Sequence, residues 1–243
     1  MMATYTGLPT LLADLIYPQR VSADVKGSAI EGGRNTSGQS QSIELSGGGL
    51  LTASYEDCKI NWPMQYEYIN WLGARLNGSF RFINVPIITD FYGPFPVLNG
   101  VPAPIIKKIP HSDGTLFTDD TGYSQIPVFG TATANAPLNS GIITMAVAGL
   151  NRELRYSDWF SILHPTKGWR AYRYWKVISK SSASVPVYSL AISPPLREAV
   201  TAGTRVEFAR PRFAAKFPTD FTLPSVSESF YAIQQTIQFE EAF

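Results

Sequence analysis

Short runs of alternating apolar and polar residues, separated by glycines and prolines, make up most of this chain. An alternation of period two is typical of a half-buried β-strand, because successive side chains on a strand point to opposite faces. We therefore predict a mainly β protein: a β-sandwich or barrel with one flanking helix, a second small β-barrel, and extended loops or arms. The predicted strands lie at 41–45, 50–60, 80–85, 142–147, 159–163, 172–178, 187–192, 204–208 and 236–240.

One segment, residues 63–77, has helical periodicity instead. Pro63 suits the first position of a helix, where its missing N–H is not needed, and Asn77-Gly78 is typical of a left-handed helix end. Residues at spacings of three and four predict a single face that packs against a sheet: Tyr68, Trp71, Leu72, Arg75 and Leu76.

The same patterns divide the chain into four segments. Residues 1–88 form the N-terminal part of a first β domain, and residues 141–215 form the small β-barrel. Residues 216–243 end in a strand that we interpret as rejoining the first domain. Residues 89–140 contain many prolines and little periodicity, which is too long a stretch for a routine connection, so we predict a proline-rich arm lying on a partner. No internal repeat is identified.

Charge and composition exclude some classes of function. The formal charge is +1, so no basic footprint for nucleic acid or anionic lipid is present. Only 16% of the residues are charged, which favours a subunit whose surface is covered in an assembly, although a neutral monomer remains open. The N-terminus lacks the basic region of a signal peptide and no apolar stretch is long enough to span a membrane, so we expect synthesis and folding in the cytoplasm.

The segment with the most reactive side chains is HSDGTLFTDDTG, residues 111–122. Asp113, Asp119 and Asp120 lack the spacing and the closing glutamate of a calcium loop. A zinc site would need several His or Cys side chains, and the whole chain offers only His111, His164 and Cys58. The Asp-Gly and Thr-Gly pairs are typical of turns, so we interpret the segment as a loop that contacts another subunit.

No catalytic, cofactor-binding or metal-binding residue is predicted. The chain has no nucleophile elbow, and Cys58 lies within a strand as a buried, inert thiol. A hydrolase of the cell envelope that uses two carboxylates is a further alternative, but the sequence does not single out two acidic residues as that pair. The five tryptophans fill cores and interfaces in one interpretation and stack on sugar rings in another.

Several segments taken in order resemble distal tail or baseplate proteins of siphovirus-like phage tails and gene transfer agents. These segments are Pro110–Asp119, Tyr156–Ile162, Ala171–Val177, the I-x-P-P-L-R run at Ile192–Arg197, Ala202–Pro211, and the ending Ile237–Phe243. The resemblance covers about residues 110–243, and residues 1–110 only by general layout.

The resemblance implies a non-enzymatic virion protein located at the tail tip. Such subunits form a ring, commonly of six copies, that joins the tail tube protein to the hub or baseplate proteins. It leaves open whether this chain is the ring protein or an adjacent minor subunit. The alternative function is a carbohydrate-binding module of the tail tip for host attachment.

Overall fold

A computed structural model describes residues 5–27, 29–44, 47–224 and 233–243. Its helices are α1 (Ala13–Ile16) and α2 (Pro63–Leu76). Its strands are β1 (Arg20–Lys26), β2 (Ala29–Arg34), β3 (Ser40–Glu44), β4 (Leu50–Ile60), β5 (Ile83–Pro86), β6 (Val97–Leu98), β7 (Val101–Pro102), β8 (Ile106–Ile109), β9 (Tyr123–Gln125), β10 (Phe129–Ala132), β11 (Ile142–Ala148), β12 (Trp159–His164), β13 (Gly168–Lys180), β14 (Val187–Ser193), β15 (Arg205–Glu207), β16 (Arg212–Lys216) and β17 (Ile233–Glu241). The mainly β prediction is confirmed.

The chain divides into two compact units. Unit 1 comprises the described residues of Met1–Ile87, His164–Arg170 and Arg212–Phe243, and unit 2 comprises Ile88–Leu163 and Ala171–Pro211. Neither helix in the described part of the chain has the length and apolarity needed to cross a membrane.

Unit 1 is built on a five-stranded antiparallel sheet of order β1-β4-β17-β16-β5. In β4 the buried side chains are Leu51, Ala53 and Tyr55, and then Cys58 and Ile60. A bulge opposite Gln235–Ile237, with Asp57 at φ 53°, adds one residue and moves the buried side chains from odd to even positions.

The outer edge of β5 is covered by the N-terminal segment. Asn84 donates its N–H to the carbonyl of Pro9 (2.8 Å), and Leu11 donates to the carbonyl of Asn84 (2.8 Å). The opposite edge strand, β1, pairs only with β4 among the described strands.

Unit 2 contains a closed six-stranded barrel of order β10-β11-β14-β13-β12-β15. Its bounds differ from the predicted 141–215 at both ends, since β10 begins the barrel and β16 belongs to the sheet of unit 1. The predicted arm at 89–140 instead holds five short strands, including the hairpins β6–β7 and β8–β9. Short strands between prolines carry too few alternating positions to be recognised from sequence.

Candidate interaction surfaces

Helix α2 is apolar on two faces. The side chains that it buries are those of Gln65, Ile69, Leu72 and Leu76. The predicted core-facing stripe was therefore partly wrong, because Trp71 is 43% exposed and Tyr68 is half-buried. Gln65 is buried because it accepts the N–H groups of Asn61 (2.9 Å) and Trp62 (3.1 Å) and donates to the carbonyl of Leu15 (2.7 Å).

The second apolar face, which we call the outer helix face, consists of Met64, Tyr68 and Trp71, together with Leu12. The first three are spaced i, i+4, i+7 and so lie on one side of the helix. The Tyr68 and Trp71 rings stack with centroids 5.4 Å apart, and the Tyr68 hydroxyl accepts the N–H of Leu12 (2.9 Å). Met64 is 62% exposed and Leu12 is 55% exposed. This is a contiguous apolar surface directed to solvent, of the kind that marks an interaction site.

Strands β2 and β3 form a hairpin, which we call the arm (Ala29–Glu44). Every side chain described in it is exposed. Its turn is ordered by Asn35, whose side-chain oxygen accepts the N–H groups of Ser37 (3.1 Å) and Gln39 (2.9 Å). Ile30 and Ile43 lie opposite each other and are 53% and 58% exposed. A two-stranded hairpin is at best marginally stable alone in water, so an arm of this kind is expected to need a covering surface.

The segment HSDGTLFTDDTG, residues 111–122, lies at the tip of the β8–β9 hairpin and contains a short tandem repeat that sequence analysis missed. In His111–Thr115 and again in Phe117–Thr121, the first N–H donates to the fifth carbonyl (2.8 and 2.9 Å). The fourth N–H donates to the first carbonyl in both halves (2.9 and 2.9 Å). The fourth residue, Gly114 or Asp120, has a positive φ of 82° or 59°. The signal for these two turns in the sequence is a repeat of six residues, which is too short to be recognised as a structural repeat.

An aspartate closes each of these turns. Asp113 accepts the N–H (3.0 Å) and the hydroxyl (2.7 Å) of Thr115. Asp119 accepts the corresponding groups of Thr121 (3.1 and 2.6 Å). Within the described residues, no group of three His, Cys, Asp or Glu side chains could hold a metal ion. Both carboxylates therefore act as turn acceptors.

These hydrogen bonds predict a titration result. Bonds from the side chain and backbone of Thr115 lower the pKa of Asp113 from 3.8, and those from Thr121 lower the pKa of Asp119. Since the folded pKa values lie below the unfolded ones, the turns should be stable above pH ~4 and weaken as the pH falls. Carboxyl-carbon NMR should show both midpoints below 3.8. Thr115→Val should raise the pKa of Asp113 alone, and an equal rise at Asp119 would contradict the assignment.

The repeat brings three rings together at intervals of six residues. His111 contacts Phe117 (centroids 4.9 Å apart) and Tyr123 (5.0 Å), and Phe117 contacts Tyr123 (5.2 Å), all edge to face. Phe117 and Tyr123 are exposed. The other histidine, His164, is buried in unit 1, so the two histidines belong to different units.

A hydrogen-bonded turn presents Phe91, which is 83% exposed. The N–H groups of Tyr92 (3.2 Å) and Gly93 (2.9 Å) both donate to the carbonyl of Thr89. Gly93 packs so closely on the buried Phe95 ring that a Cβ there would lie 1.9 Å from it. A large apolar side chain held outward by ordered backbone has the character of an interface anchor.

The tryptophans do not all fill the core. Trp159 is buried, and the Arg212 guanidinium lies 4.4 Å from the centre of the Trp169 ring. Trp62 in unit 1 and Trp175 in unit 2 are exposed. Unit 2 also has an open cleft of about 500 Å³, whose lining includes Leu150, Lys180 and Glu153. Lys180 and Glu153 form an ion pair with each other there.

Cys58 is a buried thiol whose sulfur lies 3.5 Å from the carbonyl oxygen of Tyr55. Burial, and then the charge of Asp57, raises the pKa of the Cys58 thiol to about 12. We expect no reaction with a thiol-specific reagent at pH 8 in the native protein, because the thiolate is the nucleophile. One thiol per chain should react after unfolding in guanidinium. Stoichiometric labelling of the native protein within minutes would contradict this prediction.

No protein-family model matches the chain, and no match is found among curated proteins.

Proposed function

We propose that this chain is a structural virion protein of a phage tail tip that forms a ring joining the tail tube to the baseplate or hub. The observation that carries the proposal is the outer helix face. A helix that is apolar on one side packs on its own core, whereas a second apolar side is buried only when another protein covers it. The proposed role is binding and support, without catalysis.

Three further features support an assembly role. Three separate ordered elements carry exposed apolar side chains: the arm, the turn that presents Phe91, and the loop at residues 111–122. A ring subunit needs at least two different contact surfaces, because each copy binds the next through one and the previous through the other. Additional surfaces would bind the tail tube protein and the hub or baseplate proteins. No contact with nucleic acid or membrane is proposed.

Deletion of residues 111–122 tests the role of the loop. The β8–β9 loop is exposed and closed by its own hydrogen bonds, so replacing it with a two-residue Asn-Gly turn should leave the fold intact. We expect an unchanged far-ultraviolet circular dichroism spectrum and a loss of tail assembly in a complementation assay. A deletion variant that forms infectious particles in normal number would contradict the proposed contact.

The direct test is the native mass of the purified chain by light scattering, with negative-stain images of the same sample. Closed rings are expected if the contacts between copies close under rotation, and the resemblance to tail proteins implies about six copies. A strict monomer at all concentrations would contradict self-assembly.

A second function, carbohydrate binding for host attachment, is favoured by the exposed Trp62 and Trp175. Sugar rings stack on exposed tryptophan, so glycans of the host envelope should quench its fluorescence if this function holds. Trp175→Phe and Trp62→Phe would assign the site to one unit. If the protein is oligomeric and glycans do not quench its tryptophan fluorescence, carbohydrate binding is contradicted and only the ring proposal remains.

A further inference from the structure

A β-bulge on β13 directs the Trp175 side chain away from the barrel of unit 2. Tyr174 pairs with Ile192, and Lys176 pairs with Ala191, so β13 holds one residue more than β14 between these two pairs. That extra residue is Trp175. A bulge interrupts the alternation of a strand and can therefore re-aim a side chain. The Trp175 side chain is 64% exposed.

The registers of β11, β13 and β14 place the residues around Trp175 in two rows, which together with Trp175 we call the outer barrel face. In β11 and β14 these residues alternate with residues of the barrel core, so their side chains point outward, and their partners on β13 share that side. Neighbouring strands lie about 4.8 Å apart, and the two rows lie roughly 7 Å apart along the strands. The first row, beside Trp175, consists of Lys176, Ala191 and Ile142, and the second row consists of three hydroxyl side chains, those of Ser179, Ser189 and Thr144.

We propose that the outer barrel face binds a saccharide, with one sugar ring stacked on Trp175 and the sugar hydroxyls bonded to the row of Ser179, Ser189 and Thr144. This inference rests on the second proposed function, carbohydrate binding, and assigns the site to unit 2. A sugar ring has an apolar C–H face and a polar edge, which match an exposed indole ring beside a row of hydroxyls. Serine and threonine hydroxyls can both donate and accept hydrogen bonds, as sugar hydroxyls do.

The composition of the outer barrel face favours a sugar over a protein partner. The cores of protein–protein interfaces are enriched in Trp, Tyr, Met and Arg and depleted in Ser, Ala and Lys. Beside its one tryptophan, the outer barrel face consists mainly of Ser, Thr, Ala and Lys. The outer helix face of unit 1 has the composition expected of a protein contact, with Met64, Tyr68 and Trp71. Strands β11, β13 and β14 contain no Asp or Glu that would repel an acidic sugar.

Titration of the full chain with soluble saccharides tests the inference. The probes are cellobiose, lactose, diacetylchitobiose and a disaccharide of galacturonic acid, at millimolar concentration, with binding measured by calorimetry. At least one of them is expected to bind. Trp175→Ala should weaken that binding about tenfold, whereas Trp175→Tyr, which keeps an aromatic ring, should stay within about threefold. The matched control is Trp62→Ala, which removes an exposed tryptophan of unit 1 and should leave the affinity unchanged.

The hydroxyl row supplies a second measurement. Thr144→Val keeps the shape of the side chain but removes its hydroxyl, so it should weaken binding of the same saccharide about threefold to tenfold. Thr144→Ser keeps the hydroxyl and should retain the affinity. Equal affinities of the Thr144→Val and Thr144→Ser variants would contradict the proposed contact with the hydroxyl row.

The outcomes separate this inference from the proposed functions. Binding that is lost in Trp62→Ala and kept in Trp175→Ala overturns the inference and leaves carbohydrate binding standing. If none of the four saccharides binds, both the inference and carbohydrate binding are overturned, and the ring proposal is unaffected. Loss of oligomers in Trp175→Ala, measured by light scattering, would mean that the outer barrel face is a contact between copies, which also overturns the inference.

Discussion

Replacing Arg170 with methionine is expected to destabilise unit 1 by about 3–5 kcal/mol and to lower its melting temperature by roughly 10 °C. The guanidinium is fully buried and donates to Glu241 (3.1 Å), to the carbonyl of Ala242 (2.6 Å) and to the carbonyl of Lys167 (3.0 Å). It lies between two rings, 5.2 Å from the centre of Tyr5 and 4.9 Å from that of Phe243. The substitution removes the Arg170 guanidinium from a buried carboxylate, and breaking one side of a buried ion pair is the costly case.

Differential scanning calorimetry or a urea melt measures the effect. The control is Arg205→Ala, because Arg205 is exposed beside the Phe129 ring (5.1 Å) and its loss should cost no more than about 1 kcal/mol. In the double variant Arg170→Met/Glu241→Gln, the amide oxygen can still accept the N–H of Leu51, which now donates to Glu241 (3.1 Å). The double variant should therefore be more stable than Arg170→Met alone. A strictly additive loss would show that the two side chains do not interact.

Asp158→Asn is expected to destabilise unit 2 by about 2–4 kcal/mol. The Asp158 side chain is fully buried and accepts both terminal nitrogens of Arg152 (2.8 and 2.7 Å) and the N–H of Arg155 (2.7 Å). The hydrogen bonds that Arg152 donates to Asp158 raise the pKa of the Arg152 guanidinium, so Arg152 keeps its positive charge. Asparagine keeps the shape of the Asp158 side chain but removes one of its two acceptor oxygens and its negative charge.

Arg152 also donates to the carbonyl of Tyr92, so this pair supports the turn that presents Phe91. Hydrogen exchange at residues 89–93 should accelerate in Asp158→Asn. Glu153→Gln is the matched control, since its exposed carboxylate pairs with Lys180 at the surface and should contribute well under 1 kcal/mol. Equal effects of the two variants would contradict a special role for the buried pair.

The ending Ile237–Phe243 shows how a sequence motif can be recognised without its physical reason. Its residues Glu241 and Phe243 hold Arg170, and Ile237 and Phe239 fill the core of unit 1. Much of the other resembling segments is likewise buried, as at Phe160, Leu196 and Phe208. These segments stabilise the units, and the surfaces that we propose for assembly lie largely outside them.

The candidate surfaces were only partly predictable. The loop at residues 111–122 was expected from its turn residues, because Asp and Gly have local backbone preferences. Only one of the two strands of the β2–β3 arm was predicted from sequence. The alternation at 41–45 predicts β3, whereas Gly32 and Gly33 interrupt the alternation in β2. The sequence predicted one apolar stripe on helix α2, whereas the helix has two apolar faces. Residue spacing alone does not show which face packs against the sheet.

The sequence by itself determined the mainly β fold, the single long helix and, to within one residue, the bounds of β4, β11, β12 and β14, since alternation and chain-breaking residues act over a few neighbours. The ends of β13 and β17 extend beyond the predicted strands. Strand β4 spans Leu50–Ile60, as its alternation predicts. Only the tertiary structure decided that β16 lies between β17 and β5 in the sheet of unit 1, that Arg170 is buried against Glu241, and that Tyr68 and Trp71 are directed outward. Each of these depends on residues distant in sequence, because burial is set by which surfaces the whole chain brings together.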